Sequence, residues 1–321
     1  MKPPNNPFVI NAYQGKEYFC DREHDLKKLF HHVENDRNVV LYAWRRMGKS
    51  ALIHRFIDDL VDTQVYETIY VDFLATHSVE EAINAIAIAI YEKYGKTKSG
   101  FSATLQRLFS LLGVTLSLDP YTGAPEISIG LRNPGMNEYS LQALGEFLRE
   151  RKKRVLITID EFQQVSRYEE GNAEAMMRTW IQHFPDIRFI FSGSHRTMMV
   201  EMFAENDRPF YQSAQLMALD PIPLEAYIPF IQKHFEAKKK FISTELIQKI
   251  HVWARGQTYA IQLVCNHLFS QYSQVKDEDF IRVVSDILGQ HQSIYGSFAK
   301  MLTLTQWNLF KAIAKEEPLY S

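Results

Sequence analysis

The sequence predicts an α/β fold, a parallel sheet with helices on both faces, followed by an all-helical region. Three observations predict it. Short apolar runs of strand length alternate with amphipathic stretches of helix length as far as about residue 222. The first of those runs feeds a Gly-Lys-Ser turn that opens a helix. After Leu224 the strand signals stop and helical patterns follow one another.

Taken in order, the run from Asp21 to about Asn35 sets Leu26, Leu29, Phe30 and Val33 on one helical face, with Asp21 as N-cap and Glu23 and Asp25 in the first turn. Val39 to Tyr42 is the first strand, and Ala51 to Val61 continues as an amphipathic helix through Leu52, Ile53, Phe56 and Leu60. Ile69 to Leu74 forms a second buried strand and Val79 to Tyr94 a helix apolar on most sides. Phe101 to Leu112 is helical. Val114 to Leu118 and Ile127 to Leu131 alternate around Asp119-Pro120-Tyr121-Thr122-Gly123, the pattern of an inserted hairpin. The alternation resumes with a helix over Asn137 to Arg151, a strand over Val155 to Asp160, a helix over Met176 to Phe184 and a strand over Ile187 to Ser192. Leu216 to Leu219 is one more strand, closed by Pro221 and Pro223, and helices are expected at 224–238, 243–254, 258–273 and 277–301.

Of the 321 residues 46% are hydrophobic and 23% charged, enough for one large or two modest domains. A net charge of -2 argues against a surface coated in basic residues, although a local patch would not show in that sum. Cys20 and Cys265 are too few for a disulfide framework and have no zinc-ligand spacing, which fits a reducing cytoplasm. Met1 to Phe8, with three prolines, lacks the apolar core of a signal peptide, and no run of about 18 apolar residues occurs. A cytoplasmic protein without membrane contact is expected.

Ala43-Trp44-Arg45-Arg46-Met47-Gly48-Lys49-Ser50 has the spacing of a phosphate loop. Such a loop turns successive backbone N–H groups toward phosphates, extends a lysine to the terminal phosphates and places a hydroxyl on magnesium at a helix N-terminus. Arg45, Arg46, Met47, Gly48, Lys49, Ser50 and Ala51 are therefore the expected nucleotide-binding residues, with Ser50 also on the metal. Ala43 stands where the strict pattern has glycine, which is tolerable if the backbone there is extended.

Leu156-Ile157-Thr158-Ile159-Asp160-Glu161 is an apolar strand that ends in two carboxylates. Asp160 is the candidate to hold magnesium through its waters, and Glu161 the candidate base for the attacking water. Phe189-Ile190-Phe191 leads into Ser192-Gly193-Ser194-His195 at a strand C-terminus, where ligands collect in open α/β sheets. Ser192 or Ser194 either bonds the γ-phosphate or attacking water or caps the helix that starts near Arg196, and His195 fits a helix start better than a proton carrier.

With these residues in view the sequence resembles the archaeal-type ATPases of the STAND branch of AAA-like P-loop proteins. The resemblance rests on Phe19-Cys20-Asp21-Arg22-Glu23-His24-Asp25-Leu26, on Arg45-Arg46-Met47-Gly48-Lys49-Ser50, on Ile159-Asp160-Glu161-Phe162-Gln163 and on Phe191-Ser192-Gly193-Ser194. The family usually has Phe-x-Gly-Arg-Glu-x-Glu-Leu at the first of these, so Cys20-Asp21 departs from it. Arg208-Pro209-Phe210-Tyr211 and Leu216 to Pro223 are similar to the segment after the fifth strand, which implies that Arg208 faces phosphate. The family's lid motif Gly-x-Pro appears as Gly256-Gln257-Thr258-Tyr259, without the proline.

The resemblance implies a P-loop NTPase core over 21–222 after an N-terminal segment 1–20, a helical lid over 223–275, and a linker helix with the start of a winged helix over 276–321. Leu304 to Ala314 resembles the first helix of that domain, and the chain stops at Ser321 before a recognition helix or wing, so a domain cut short is expected. It implies ATP and magnesium as cofactors, with Lys49, Glu161, Ser192 and Arg208 as catalytic residues.

Arg151-Lys152-Lys153-Arg154 and Lys238-Lys239-Lys240 could meet phosphate backbones, but charge at the end of an element explains them better. Tyr18, Phe19 and Trp44 either wall an adenine pocket or fill the core. Three functions fit: a slow ATP-dependent switch read by an unidentified protein partner; a DNA-directed loader or motor helper acting through the missing C-terminal domain; and a nucleotide-binding scaffold with little turnover.

Overall fold

The computed structural model describes residues 3–95, 114–118, 125–129 and 135–315. The chain divides into two compact units, one of residues 11–222 and one of residues 223 onward together with the first ten. The first unit contains, in order, α1 (Glu23–Glu34), β1 (Val39–Tyr42), α2 (Lys49–Asp62), β2 (Tyr66–Asp72), α3 (Val79–Tyr94), β3 (Val114–Leu118), β4 (Pro125–Ile129), α4 (Gly135–Arg149), β5 (Arg154–Asp160), α5 (Ala173–His183), β6 (Ile187–Gly193), α6 (Arg196–Ala204) and β7 (Gln215–Ala218).

Five strands form a parallel sheet in the order β2-β5-β6-β1-β7. Parallel strands are joined by crossovers that lay helices on both faces, so both faces must be apolar. Leu41, Leu156 and Ile190 meet Leu29 and Val33 of α1 and Leu52 and Phe56 of α2 on one face. Val71, Ile157 and Phe189 meet Ile83 of α3, Leu144 of α4, Trp180 of α5 and Met199 of α6 on the other. Because successive strand residues alternate between faces, Tyr70, Asp160 and Ser192 all fall on the α2 side at the C-terminal ends of their strands.

Several expectations are corrected. Asp21 does not cap α1: Asp21 and Arg22 hold φ of 54° and 75°, the N-cap is Arg22, and no side chain caps the helix. Aspartate is among the few non-glycine residues that tolerate this left-handed region, which explains how it stands where the resembled family has glycine. The second hairpin strand lies two residues earlier than expected, because the antiparallel register pairs Val114 with Ile129 and Leu118 with Pro125. The expected helix over 101–112 and the turn 119–123 lie outside the described residues.

The second unit holds α7 (Leu224–Glu236), α8 (Thr244–Trp253), α9 (Thr258–Gln271), α10 (Asp277–Gln290), α11 (Gln292–Met301) and α12 (Leu304–Ala314). The single helix expected over 277–301 is two, ending first at His291 just past Gly289, whose conformational freedom makes it a poor helix former. Phe8, 1% exposed, packs against Phe230, His234, Phe235 and Phe269 with ring centroids 5.6–6.2 Å away. Asn6 Nδ2 donates to Asn266 O at 2.9 Å and Asn266 Nδ2 donates to Phe8 O at 2.7 Å. The N-terminal segment is thus divided: its first ten residues belong with the helices, and residues 11–20 with the sheet. Among the described residues no helix is long and apolar enough to cross a membrane.

Candidate functional site

The loop after β1 is built on two left-handed residues, Arg46 at φ 67° and Gly48 at φ 87°, and Gly48 is the N-cap of α2. Ala43 is not among the residues at positive φ; it is buried in the α1 and α2 core, and its N–H donates to Gly193 O at 3.4 Å. An alanine methyl therefore costs nothing at the position where the strict motif has glycine. Trp44, Arg45 and Arg46 are exposed, whereas Met47 and Lys49 are buried. The loop is held from behind by Arg22, whose guanidinium donates to Met47 O at 3.2 Å, to Asp220 O, and to Asp25 at 3.2 Å.

Asp160, 3% exposed, is the centre of the site. Its Oδ1 accepts from Lys49 Nζ, from Ser192 Oγ, and from the Glu161 N–H at 2.9 Å. Its Oδ2 accepts from Ser50 Oγ at 2.9 Å and from the Tyr70 hydroxyl at 2.7 Å. Lys49 Nζ also donates to Ser192 Oγ at 2.9 Å and lies 3.9 Å from Glu161 Oε1. Burial alone would raise the Asp160 pKa, but the Lys49 charge and the bonds from Lys49, Ser192 and Tyr70 hold it well below the usual carboxylate range. Asp72, beside Asp160 in the parallel register, moves the other way: burial, and then the Asp160 and Glu161 charges, push it up.

Glu161 follows at φ 53°, so the chain turns sharply out of β5 into a 3-10 turn over Phe162–Arg167 anchored by buried Phe162 and Val165. Its carboxylate accepts from Ser194 Oγ at 2.8 Å and from Gln163 Nε2. Gly193 makes room for this arrangement, since a Cβ there would collide with Gln163 Oε1 and with Met199. His195 caps α6, its Nδ1 accepting from Met198 N at 3.4 Å, which leaves Ser192 and Ser194 to face the acids.

Lys49, Ser50, Asp160, Glu161 and Ser192 therefore converge, and Arg208 does not join their hydrogen bonds. Arg208 Nη2 instead donates to Glu174 of α5, whose carboxyl burial pushes up even with the guanidinium beside it. Trp44 is 63% exposed and so is not a core residue; Phe19 packs on Tyr13, with the Arg55 guanidinium 5.9 Å from its ring centroid. Gly256 sits just past α8 at φ 70° with its N–H bonded to His251 O at 3.2 Å, a helix-ending role that needs no ligand.

Sequence reasoning missed Tyr70 and Asp72, and quoted Arg22 in the family motif without giving it a role. Tyr70 and Asp72 were hidden because only the β2–β5 register, which pairs Asp72 with Asp160, shows that they share its face. Among the described residues no group of three or more His, Cys, Asp or Glu could hold a metal by itself.

A sequence-family model described as an ATPase domain predominantly from Archaea matches residues 19–264. No curated protein matches. Among solved structures, a Walker-type ATPase of Pyrococcus abyssi is 18% identical with a TM-score of 0.63, over 92% of this chain and 79% of that one. The Orc1 protein of Aeropyrum pernix in complex with DNA is 13% identical with a TM-score of 0.59, over 97% and 76%. The Orc2 protein of the same organism, in ADPNP and ADP complexes, is 14% identical with a TM-score of 0.60, over 87% and 70%. At these identities the likeness is one of fold.

Proposed function

This chain belongs to the family of ATPase domains found predominantly in Archaea, and from that premise we propose that it binds ATP with magnesium and hydrolyses it slowly, as a nucleotide-dependent switch read by a protein partner. The observation that carries this reading is the convergence on Asp160 of Lys49 and Ser50, the first two residues of α2, with Ser192 from the end of β6.

Magnesium suits these residues. Ser50 Oγ and Asp160 Oδ2 are hard oxygen donors 2.9 Å apart, and Asp72 and Glu161 add carboxylates beside Asp160. Ser50 would hold the ion directly and Asp160 through its waters, with phosphate oxygens completing the shell. Bound there, magnesium supplies charge neutralisation on the phosphates.

The chain's own groups do the rest. The left-handed turn at Gly48 and the N-terminus of α2 present backbone N–H groups to the phosphates, and Lys49 reaches the terminal ones. Glu161, oriented by Ser194 and Gln163, accepts the proton of the attacking water. Ser192 steadies the γ-phosphate. The bond to Glu174 favours a structural role for Arg208. The resemblance to the family suggests a lid role for the helical unit and the opening of a winged helix for α12, and a sequence with only two cysteines fits a cytoplasmic setting.

The DNA-directed reading draws on the Orc1 structure, solved with DNA. The basic clusters weigh against it here. Lys240 Nζ donates to Phe269 O and Tyr272 O, the Arg151 guanidinium lies 4.1 Å from the Phe147 ring centroid, and Arg154 is paired with Asp36. The scaffold reading loses one of its supports, because Ala43 needs no positive φ.

The test is magnesium-dependent phosphate release and ATP binding by the wild type and by Lys49→Ala, with and without duplex DNA across a salt titration. Lys49→Ala should lose tight ATP binding, since the segment from Ala43 to Ser50 holds no second lysine. Wild-type affinity in that variant would remove the phosphate-loop assignment. DNA should change turnover little and bind weakly without sequence preference; submicromolar, selective binding at physiological salt would favour the DNA-directed reading instead.

A further inference from the structure

Tyr70 is the one aromatic hydroxyl bonded to the central acid among the described residues. It sits in β2 with Asp72, on the face that meets α2, and its hydroxyl donates to Asp160 Oδ2 at 2.7 Å. That oxygen is the same one that accepts from Ser50 Oγ. The Tyr70 ring packs against the His54 ring at 4.7 Å between centroids, and His54 lies four residues after Ser50, on the same side of α2. The helix that carries the loop thus touches Tyr70 with one residue and shares Asp160 with it through another. Burial, and then the Asp160 charge, push the phenol up, so it remains a donor throughout the physiological range.

A tyrosine on a buried strand face is usually a space-filler, and phenylalanine would fill this space equally well. The hydroxyl is what differs. Tyr66, also on β2, directs its hydroxyl away, to Val33 O at 3.1 Å. Rotation about the Cβ–Cγ bond of Asp160 moves both oxygens together, so donors on Oδ2 add to those on Oδ1 in holding one orientation of the carboxylate. Two donors on Oδ2, one from α2 and one from β2, fix where that oxygen points.

We propose, resting on the ATPase reading, that Tyr70 is a positioning residue that fixes Asp160 Oδ2 toward Ser50 and thereby sets how tightly the site takes up the divalent ion that accompanies the nucleotide. Residues behind metal ligands typically change metal affinity by about 10- to 100-fold when lost. Because Asp160 keeps four other donors, the effect belongs at the low end of that range.

The experiment compares the wild type with Tyr70→Phe, which keeps the ring. ATP binding is measured in EDTA and across a magnesium titration. Manganese uptake in the presence of a non-hydrolysable ATP analogue is followed by electron paramagnetic resonance, and turnover is measured at saturating magnesium. In Tyr70→Phe the metal midpoint should rise about 10-fold in both titrations, ATP binding in EDTA should be unchanged, and turnover at saturating metal should recover to within a few-fold. Unchanged midpoints would overturn the inference and leave Tyr70 as packing. An equal weakening of ATP binding with and without metal would also overturn it, by showing a general disturbance of the loop. A wild type without magnesium-dependent ATP binding overturns the ATPase reading itself, and is recognised because the failure appears before any substitution.

Discussion

The two units of this chain bury different chemistry. The sheet unit encloses charge: Lys49, Asp160 and Arg22 are each less than one-tenth exposed, and each is bonded to groups from other elements. Both units enclose rings, Phe162, Phe191 and Phe210 in the sheet unit and Phe8, Phe235, Phe269 and Tyr227 in the helical unit, but among the described residues the helical unit buries no lysine, arginine or carboxylate. Buried charge is costly unless every partner is in place, and it is kept where its field is used. Packed rings are non-directional by comparison and tolerate substitution in proportion to the volume lost. The contrast teaches that a change in the sheet unit should act on chemistry out of proportion to its effect on stability, and a change in the helical unit the reverse.

The largest expected effect breaks the chemistry alone. Glu161→Gln keeps the shape and the contacts with Ser194 and Gln163 but cannot accept a proton, so turnover should fall by about 100- to 10,000-fold while ATP and magnesium still bind. Turnover within a few-fold of wild type in a single-turnover assay would mean that Glu161 is not the base, and the contrast between the units would lose its chemical half.

The helical side is tested by Phe8→Ala. Emptying a cage of four rings should destabilise the helical unit by about 3–5 kcal/mol, the usual cost of a buried Phe→Ala change. The measurement is amide exchange in α7 and α9, which should quicken, and a loss of protection in the sheet instead would contradict the division of the chain. ATP affinity is the control.

Arg208→Ala sharpens the comparison, because this arginine lies in the sheet unit but outside the cluster on Asp160. It leaves the mostly buried Glu174 carboxylate without its guanidinium, which should cost about 2 kcal/mol of stability. The turnover number at saturating ATP should stay within a few-fold of wild type. A collapse of that number with normal thermal stability would return Arg208 to the phosphate, as the family resemblance implied.

What could be read without coordinates was periodic or local. β1 and α3 were located to the residue from an apolar run of four and from a stretch of helix length with dense apolar residues, and the structure adds that Ser78 caps α3. Lys49 and Ser50 were legible because the loop motif encodes a strand, a turn and a helix, and Asp160 because an apolar strand ends in acids, whereas the placing of β6 between β1 and β5 was not. The weaker expectations show the limit. Asp21 has the chemistry of a cap, but two left-handed residues turn the chain so that Arg22 points inward to Met47 O and Asp220 O, and no local preference predicts that.

By itself the sequence determined the alternation of elements, the phosphate loop and the acids at the end of β5, since each depends on residues close together in the chain. Only the tertiary structure decided which distant groups complete them. Tyr70 reaches Asp160 across 90 residues, Arg22 reaches Asp220 across 198, and Asn6 reaches Asn266 across 260. Each of these contacts depends on strand register or on the folded course of the chain. Those are fixed by the packing of whole faces against one another, so they leave no mark on any short window of residues.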